Sequence, residues 1–164
     1  MNLANLHNDE ATAHPVEGSD VVVRGYSSMG TLQAMGTIEV EAREAVVPDR
    51  RYVAYFVRVA LESIGDYPQE ASAMIQYDNI PKLLTSLEKL AKATLRTDRF
   101  AFSEVEYEVD GLKITVFNDG RGKNMFVVTV ENVSVHFNAL NRIEELKALI
   151  TKAKVHLDTH KVAF

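Results

Sequence analysis

The sequence predicts an α+β fold in which two sets of antiparallel strands are each followed by one amphipathic helix (ββββα-ββββα), with the helices covering the sheet or sheets. Three observations predict it. At Asp78 the hydrophobic period changes from two to about 3.6. Ala71, Ala73, Ile75 and Tyr77 share a strand face before that point, and Ile80, Leu83, Leu84, Leu87, Leu90 and Ala91 share a helix face after it. Asp110-Gly111 stands at the tip of SEVEYEVDGLKITVF, the composition that a two-residue type I′ hairpin requires. Near the C-terminus, Ile143, Leu146, Ile150, Ala153 and Leu157 recur at alternating spacings of three and four.

A chain of 164 residues supplies one well-filled core, so a single domain is expected over 19–164, behind a flexible arm over 1–18 and with a half boundary near 96–99. With 46% hydrophobic and 25% charged residues the composition is that of a globular protein. The net charge of -5 weighs against a surface that attracts polyphosphate as a whole. The absence of cysteine excludes disulfides, thiol catalysis and thiolate zinc sites. No apolar run approaches the ~20 residues that cross a bilayer, so no membrane is expected. MNLANLHNDEATAHPVEGS has neither a basic segment nor a continuous apolar one, so the expected location is cytoplasmic.

In chain order, the arm is polar and ends in Pro15 and Gly18. Its His7, Asp9, Glu10 and His14 are residue types that bind metal, but a solvated tail lacks the preorganisation that affinity needs. Val21 to Tyr26 reads as a short strand and SSMGTLQAMG as a turn or irregular edge. From Thr37 the alternation places Ile38, Val40 and Ala42 on one face and Glu39, Glu41 and Arg43 on the other. A turn follows at Pro48 and Asp49.

RYVAYFVRVALESIG fits either a strand or a helix; its β-branched and aromatic residues, directly after a strand, favour a strand. EASAMIQY returns as the next strand. Asn79 or Asp78 caps the first helix, Pro81 occupies its first turn, Glu88 and Lys92 pair on its wet side, and the helix ends near Thr94. The Asp-Gly turn then sets Val109 opposite Leu112, Glu108 opposite Lys113, Tyr107 opposite Ile114 and Glu106 opposite Thr115. NDGRGKN turns into MFVVTVEN and VSVHF, and Asn141 with Glu144 spells a capping box for the last helix. The terminal THKVAF is expected to fray.

Taken together, VVVRGY, GTIEVEA, IQYDNIPKLLTSLEKL, EVDGLKITVFNDGRGK and LNRIEELKALITKAKVHLD resemble a group of small uncharacterised bacterial α+β proteins, over about Asp20 to Asp158. That resemblance implies an order of elements and no activity. The order of four strands and a helix, twice over, is also similar to single-stranded nucleic-acid binders of the Whirly and PUR types. That second likeness implies binding through sheet-borne aromatic and basic residues, and the nearest equivalents are Tyr52, Phe56, Arg58, Arg121 and Lys123. The chain departs from the Whirly pattern in lacking its short lysine-and-glycine strand motif, and in carrying an acidic wet strand face.

Other candidates carry weaker signals. GRGKN contains a Gly-Lys pair but lacks the phosphate-loop spacing and precedes a strand, so a hairpin turn accounts for it. Glu104, Glu106 and Glu108 line one strand face and are candidate ligands for a hard cation, or a solvated face with Glu108 beside Lys113. His156 and His160 have the i,i+4 spacing of a zinc pair without an HExxH motif. His136 has no motif partner for base chemistry.

The reading these features favour is a non-enzymatic interaction or scaffold domain, with no cofactor, that self-associates as a homo-oligomer, a dimer first, through exposed strand edges or helix faces, with a protein partner as a further option. The alternative is single-stranded nucleic-acid binding; the third is a small metal-dependent enzyme using the Glu104 to Glu108 face.

Overall fold

The computed structural model describes residues 20–95 and 98–164. The expected arm, with His7, Asp9, Glu10 and His14, lies outside the described residues, as do positions 96 and 97 of the expected half boundary. Strands β1 (Val23–Ala34), β2 (Gly36–Val47), β3 (Tyr52–Glu62) and β4 (Glu70–Gln76) form one antiparallel four-stranded sheet in sequential order, sheet A. Helix α1 (Ile80–Ala91) follows. Strands β5 (Glu104–Val109), β6 (Leu112–Asn118), β7 (Asn124–Val130) and β8 (Val133–Phe137) form sheet B in the same manner, and helix α2 (Ile143–Thr159) closes the chain. The expected ββββα-ββββα order is therefore the observed one.

The β5–β6 register is the one the Asp-Gly turn dictates, with Val109 opposite Leu112 and Glu106 opposite Thr115. Asp110 and Gly111 take the positive φ values of 49° and 84° that such a turn demands. Residues 52–62 form a strand, with Val57, Val59 and Leu61 on the core face. Buried residues of both sheets and both helices join in one hydrophobic cluster, which includes Val40, Ile75, Leu87, Ile114, Val135 and Ile150.

Several expectations are corrected. Of the turn or irregular edge expected at SSMGTLQAMG, the structure has the edge: β1, a border strand of sheet A, runs through it to Ala34 with a bulge between Ser28 and Gly30 and turns only at Met35. Asn79 holds the N-cap position without capping, because its Nδ2 donates to Asp110 Oδ2 instead (2.9 Å). The capping box at Asn141 does not form, since Leu140–Arg142 is a 3-10 turn and α2 starts at Ile143. α1 ends at Ala91, short of Thr94. Beyond α2 the C-terminal residues are exposed, and the Val162 N–H donates to Tyr55 Oη at 2.7 Å.

Each helix packs across to the other half of the chain. α2 lies on β1, β2 and β3, where Leu149 meets Gly30 and Lys152 Nζ donates to the Met29 carbonyl (3.3 Å). α1 packs against α2 and β5. The two sheets are joined directly where the Met35 N–H donates to the His136 carbonyl at 3.2 Å.

Candidate functional site

Tyr52, Phe56 and Arg58 alternate along β3 and so share the outer face of sheet A. Phe56 is 1% exposed and offers no ring face for stacking. Arg58 is engaged through Nη1 with Glu41 Oε1 (3.6 Å), and Arg43 Nε bonds the other oxygen of the same carboxylate (2.9 Å) while its guanidinium lies over Tyr26. A hydrogen bond to Glu41 raises the Glu39 pKa, burial and the neighbouring charge adding to it. Burial pushes Glu41 up, but its hydrogen bonds from Glu39 and Arg43 and the two guanidinium charges outweigh this and hold it below the usual carboxylate value. This face is thus a mutually neutralised charge network bordering a cleft of about 470 Å³ beside Arg58.

Arg121 and Lys123 sit at the opposite end of the molecule's long hairpin. Gln76, the register partner of Phe56, contacts Asp110 at one tip of β6, whereas Arg121 and Lys123 lie beyond the other tip. Seven residues of strand, roughly 20 Å, intervene. The sequence-predicted set is therefore split. The 118–124 segment is a hairpin turn, as expected, in which Asp119 Oδ1 accepts the N–H groups of Arg121 (2.8 Å) and Lys123 (3.1 Å). Those two bonds lower the Asp119 pKa.

What lies beside Arg121 and Lys123 is an aromatic segment outside the sequence-predicted set. Asn118 is buried and faces it with three hydrogen bonds: its Nδ2 donates to the Ala101 carbonyl (2.9 Å), its Oδ1 accepts the Ser103 N–H (2.7 Å), and its own N–H donates to the Ser103 carbonyl (3.4 Å). The pinned stretch carries Phe100, 64% exposed, and Phe102, 70% exposed. The Phe102 ring lies over Gly120, so close that a Cβ there would be 2.9 Å from Cε1, and the Arg99 guanidinium stands 5.4 Å from the Phe100 ring centre. The segment runs directly into β5, where Glu104 faces Phe117 and Phe117 faces Met125 on the outer side of sheet B. The signal available in the sequence was RFAFSEV, two aromatics alternating into a strand.

No protein-family model matches the chain, and neither the curated proteins nor the solved structures hold a match to it. The likeness to Whirly and PUR-type binders accordingly rests on the order of elements, and the reading of function rests on the surfaces described here.

Glu104, Glu106 and Glu108 are exposed along β5, the border strand of sheet B. Among the described residues no three His, Asp or Glu side chains gather in a metal-binding arrangement. His156 and His160 lie side by side with ring centres 4.3 Å apart, and His160 Nδ1 is bonded to the His156 carbonyl (2.8 Å). They border a cleft of about 280 Å³ with Tyr26, Arg43 and Tyr55. Between the two histidines in sequence, Asp158 accepts from Tyr77 Oη and from Lys154 Nζ (2.8 Å), and Lys161 Nζ stands 4.4 Å from the Tyr77 ring centre. The bonds from Lys154 and Tyr77 lower the Asp158 pKa, and the bond to Asp158 raises that of Lys154. This group ties the strand-to-helix junction at Tyr77 to the end of α2. His136, exposed on β8, contributes its carbonyl to the bridge between sheets.

Proposed function

We propose that the protein is a non-catalytic interaction module that self-associates through the aromatic segment from Phe100 to Val105. The observation that carries this reading is the exposure of Phe100 and Phe102, at 64% and 70%, on a backbone hydrogen-bonded to the buried Asn118 at Ala101 and Ser103. Large apolar rings left in water on an ordered segment are the signature of a contact surface, because the ordering has already been achieved and only the burial is outstanding.

The free backbone edge of β5 is not the contact. In a symmetric antiparallel pairing of two copies centred on Glu106, Glu104 would face Glu108 of the partner, and like charges directly opposite oppose edge-to-edge addition. Association through the rings avoids that register.

Light scattering across a protein concentration series tests the reading. The expected result is a mass that rises from one chain to two, and a melting temperature that rises with concentration. A Phe100→Ser/Phe102→Ser protein that remains folded should stay monomeric; dimerisation unchanged in that variant would count against this surface.

A second reading is favoured by Arg99, Arg121 and Lys123 beside the same rings: single-stranded nucleic acid stacking on Phe100 and Phe102. Phosphate contacts would make binding fall steeply with salt. An oligothymidine titration at low and at moderate salt separates the two, since absence of binding at low salt removes the second reading and leaves the first intact.

A further inference from the structure

β5 borders sheet B, and its pairing with β6 decides which of its backbone groups are engaged. The Asn118 N–H donates to the Ser103 carbonyl (3.4 Å), in the same register series as Val105↔Val116, Tyr107↔Ile114 and Val109↔Leu112. Bonded and non-bonded pairs alternate along an antiparallel ladder. The odd-numbered residues of β5 therefore bond β6, and Glu104 and Glu106 direct both N–H and C=O away from it.

No other described strand lies against this edge. α1 reaches β5 from the core side and toward the Asp110 end, where Asn79 bonds the turn (2.9 Å) and Tyr107 and Val109 pack into the core. Glu104, Val105 and Glu106 are all exposed. Two donors and two acceptors of an extended backbone thus stand open to solvent, the arrangement that accepts an added strand.

We propose that this edge binds an extended segment of a partner protein in which lysine or arginine alternates with apolar residues, and which joins β5 as the next strand of sheet B. The backbone supplies pairing with any sequence, and the side chains supply the choice. Residues of the added strand opposite Glu104 and Glu106 fall on the carboxylate face, and the residue between them falls on the face of Val105. The two carboxylates have uncharged register partners, Phe117 and Thr115, while Lys113 stands opposite Glu108, so Glu104 and Glu106 are left to pair with cations that the added strand brings. β5 of a second copy would bring glutamate there instead, and like charge opposes it. The edge adjoins the aromatic segment but is a separate feature, and it stands whether or not the chain self-associates.

The test is an amide NMR titration of the full chain, dilute enough for light scattering to give a single copy, with an acetylated peptide alternating lysine and valine and with its glutamate–valine counterpart. With the lysine peptide, the Glu104 and Glu106 amides should shift and exchange with solvent at least roughly tenfold more slowly; the glutamate peptide should leave both unchanged. Glu106→Pro deletes an outward donor without touching the bonds to β6 and should abolish binding. Should that variant lose its fold by circular dichroism, Glu104→Lys/Glu106→Lys decides: it should bind the lysine peptide roughly tenfold or more weakly and take the glutamate peptide instead. Phe100→Ser/Phe102→Ser should bind the lysine peptide as the unaltered protein does, so that loss of self-association and loss of this edge are read separately. Unshifted Glu104 and Glu106 at millimolar lysine peptide, equal binding of both peptides, undiminished binding to folded Glu106→Pro, or an unchanged preference in the charge-reversed variant would overturn the proposal.

Discussion

Asn118 is one of two buried polar residues among those described, and its position explains how a connecting segment can hold two exposed rings in place. All its bonds go to Ala101 and Ser103, so truncation leaves the Ala101 carbonyl and the Ser103 N–H without that partner. Asn118→Ala should lower stability by about 1–3 kcal/mol, read from denaturant unfolding, and should weaken association alongside it. The Tyr77 group makes a pH prediction. Asp158 is held below its ordinary value near 3.8, so its contribution is complete above that value and is lost as pH falls through the depressed folded value. Lys154 is raised above 10.5, so its share is present below that pH and is lost as pH rises through the raised value. Melting temperature should therefore fall more at acid pH for the unaltered chain than for Asp158→Asn, which has already lost the interaction; parallel acid profiles would contradict this assignment.

Between elements, the critical position is the β1–β2 turn. Gly36 has φ +118°, and a Cβ there would meet the Glu62 carbonyl oxygen at 2.6 Å and the Val135 side chain at 3.0 Å. Gly36→Ala should cost about 2–4 kcal/mol, visible as a lower urea midpoint, because backbone from β3 and a side chain from β8 close on that point from two sides. Nothing in MGTLQAMG distinguishes this glycine from Gly30, which is why the segment reads equally as a turn or an irregular edge: two glycines six residues apart look like punctuation, and pairing with β2 shows that it is a bulged edge strand. The elements whose residues carry their own period were legible. The Asp78 junction, the Asp-Gly hairpin with its register, and the buried stripe of α2 all follow from local chemistry. Both helix caps were misread for one reason, that Asn79 and Asn141 find other settings once the chain folds: Asn79 turns to Asp110, and Asn141 enters a 3-10 turn. Tertiary partners outbid local ones there, and a sequence shows local ones alone. Likewise Phe56 reads as a surface aromatic by its alternation with Val57, yet it is buried.

At the scale of the molecule, α2 follows sheet B and covers sheet A, while α1 follows sheet A and packs on α2 and β5. Neither half can bury its own apolar face without the other, so residues 20–95 or 98–164 expressed alone should fail to fold, and the whole chain should unfold in one transition by circular dichroism and by fluorescence. Two separate transitions would mean that the halves are independent domains. The same crossing leaves the border strands and the exposed parts of the sheets' outer faces as the surfaces available to partners, while Val47, Phe56 and Met74 on the outer face of sheet A are covered. On these lie the charge network around Glu41, the carboxylates of β5, and the rings of Phe100 and Phe102. Since paired charges and like charges contribute little to association, the rings are the part of that surface with most to gain from burial. Hydrogen exchange measured on dilute and on concentrated protein tests this most directly. Self-association through the aromatic segment predicts slower exchange at residues 99–105 in the concentrated sample, with Phe100→Ser/Phe102→Ser showing no difference between the two; exchange there that is independent of concentration, or protection confined to another surface, would contradict it.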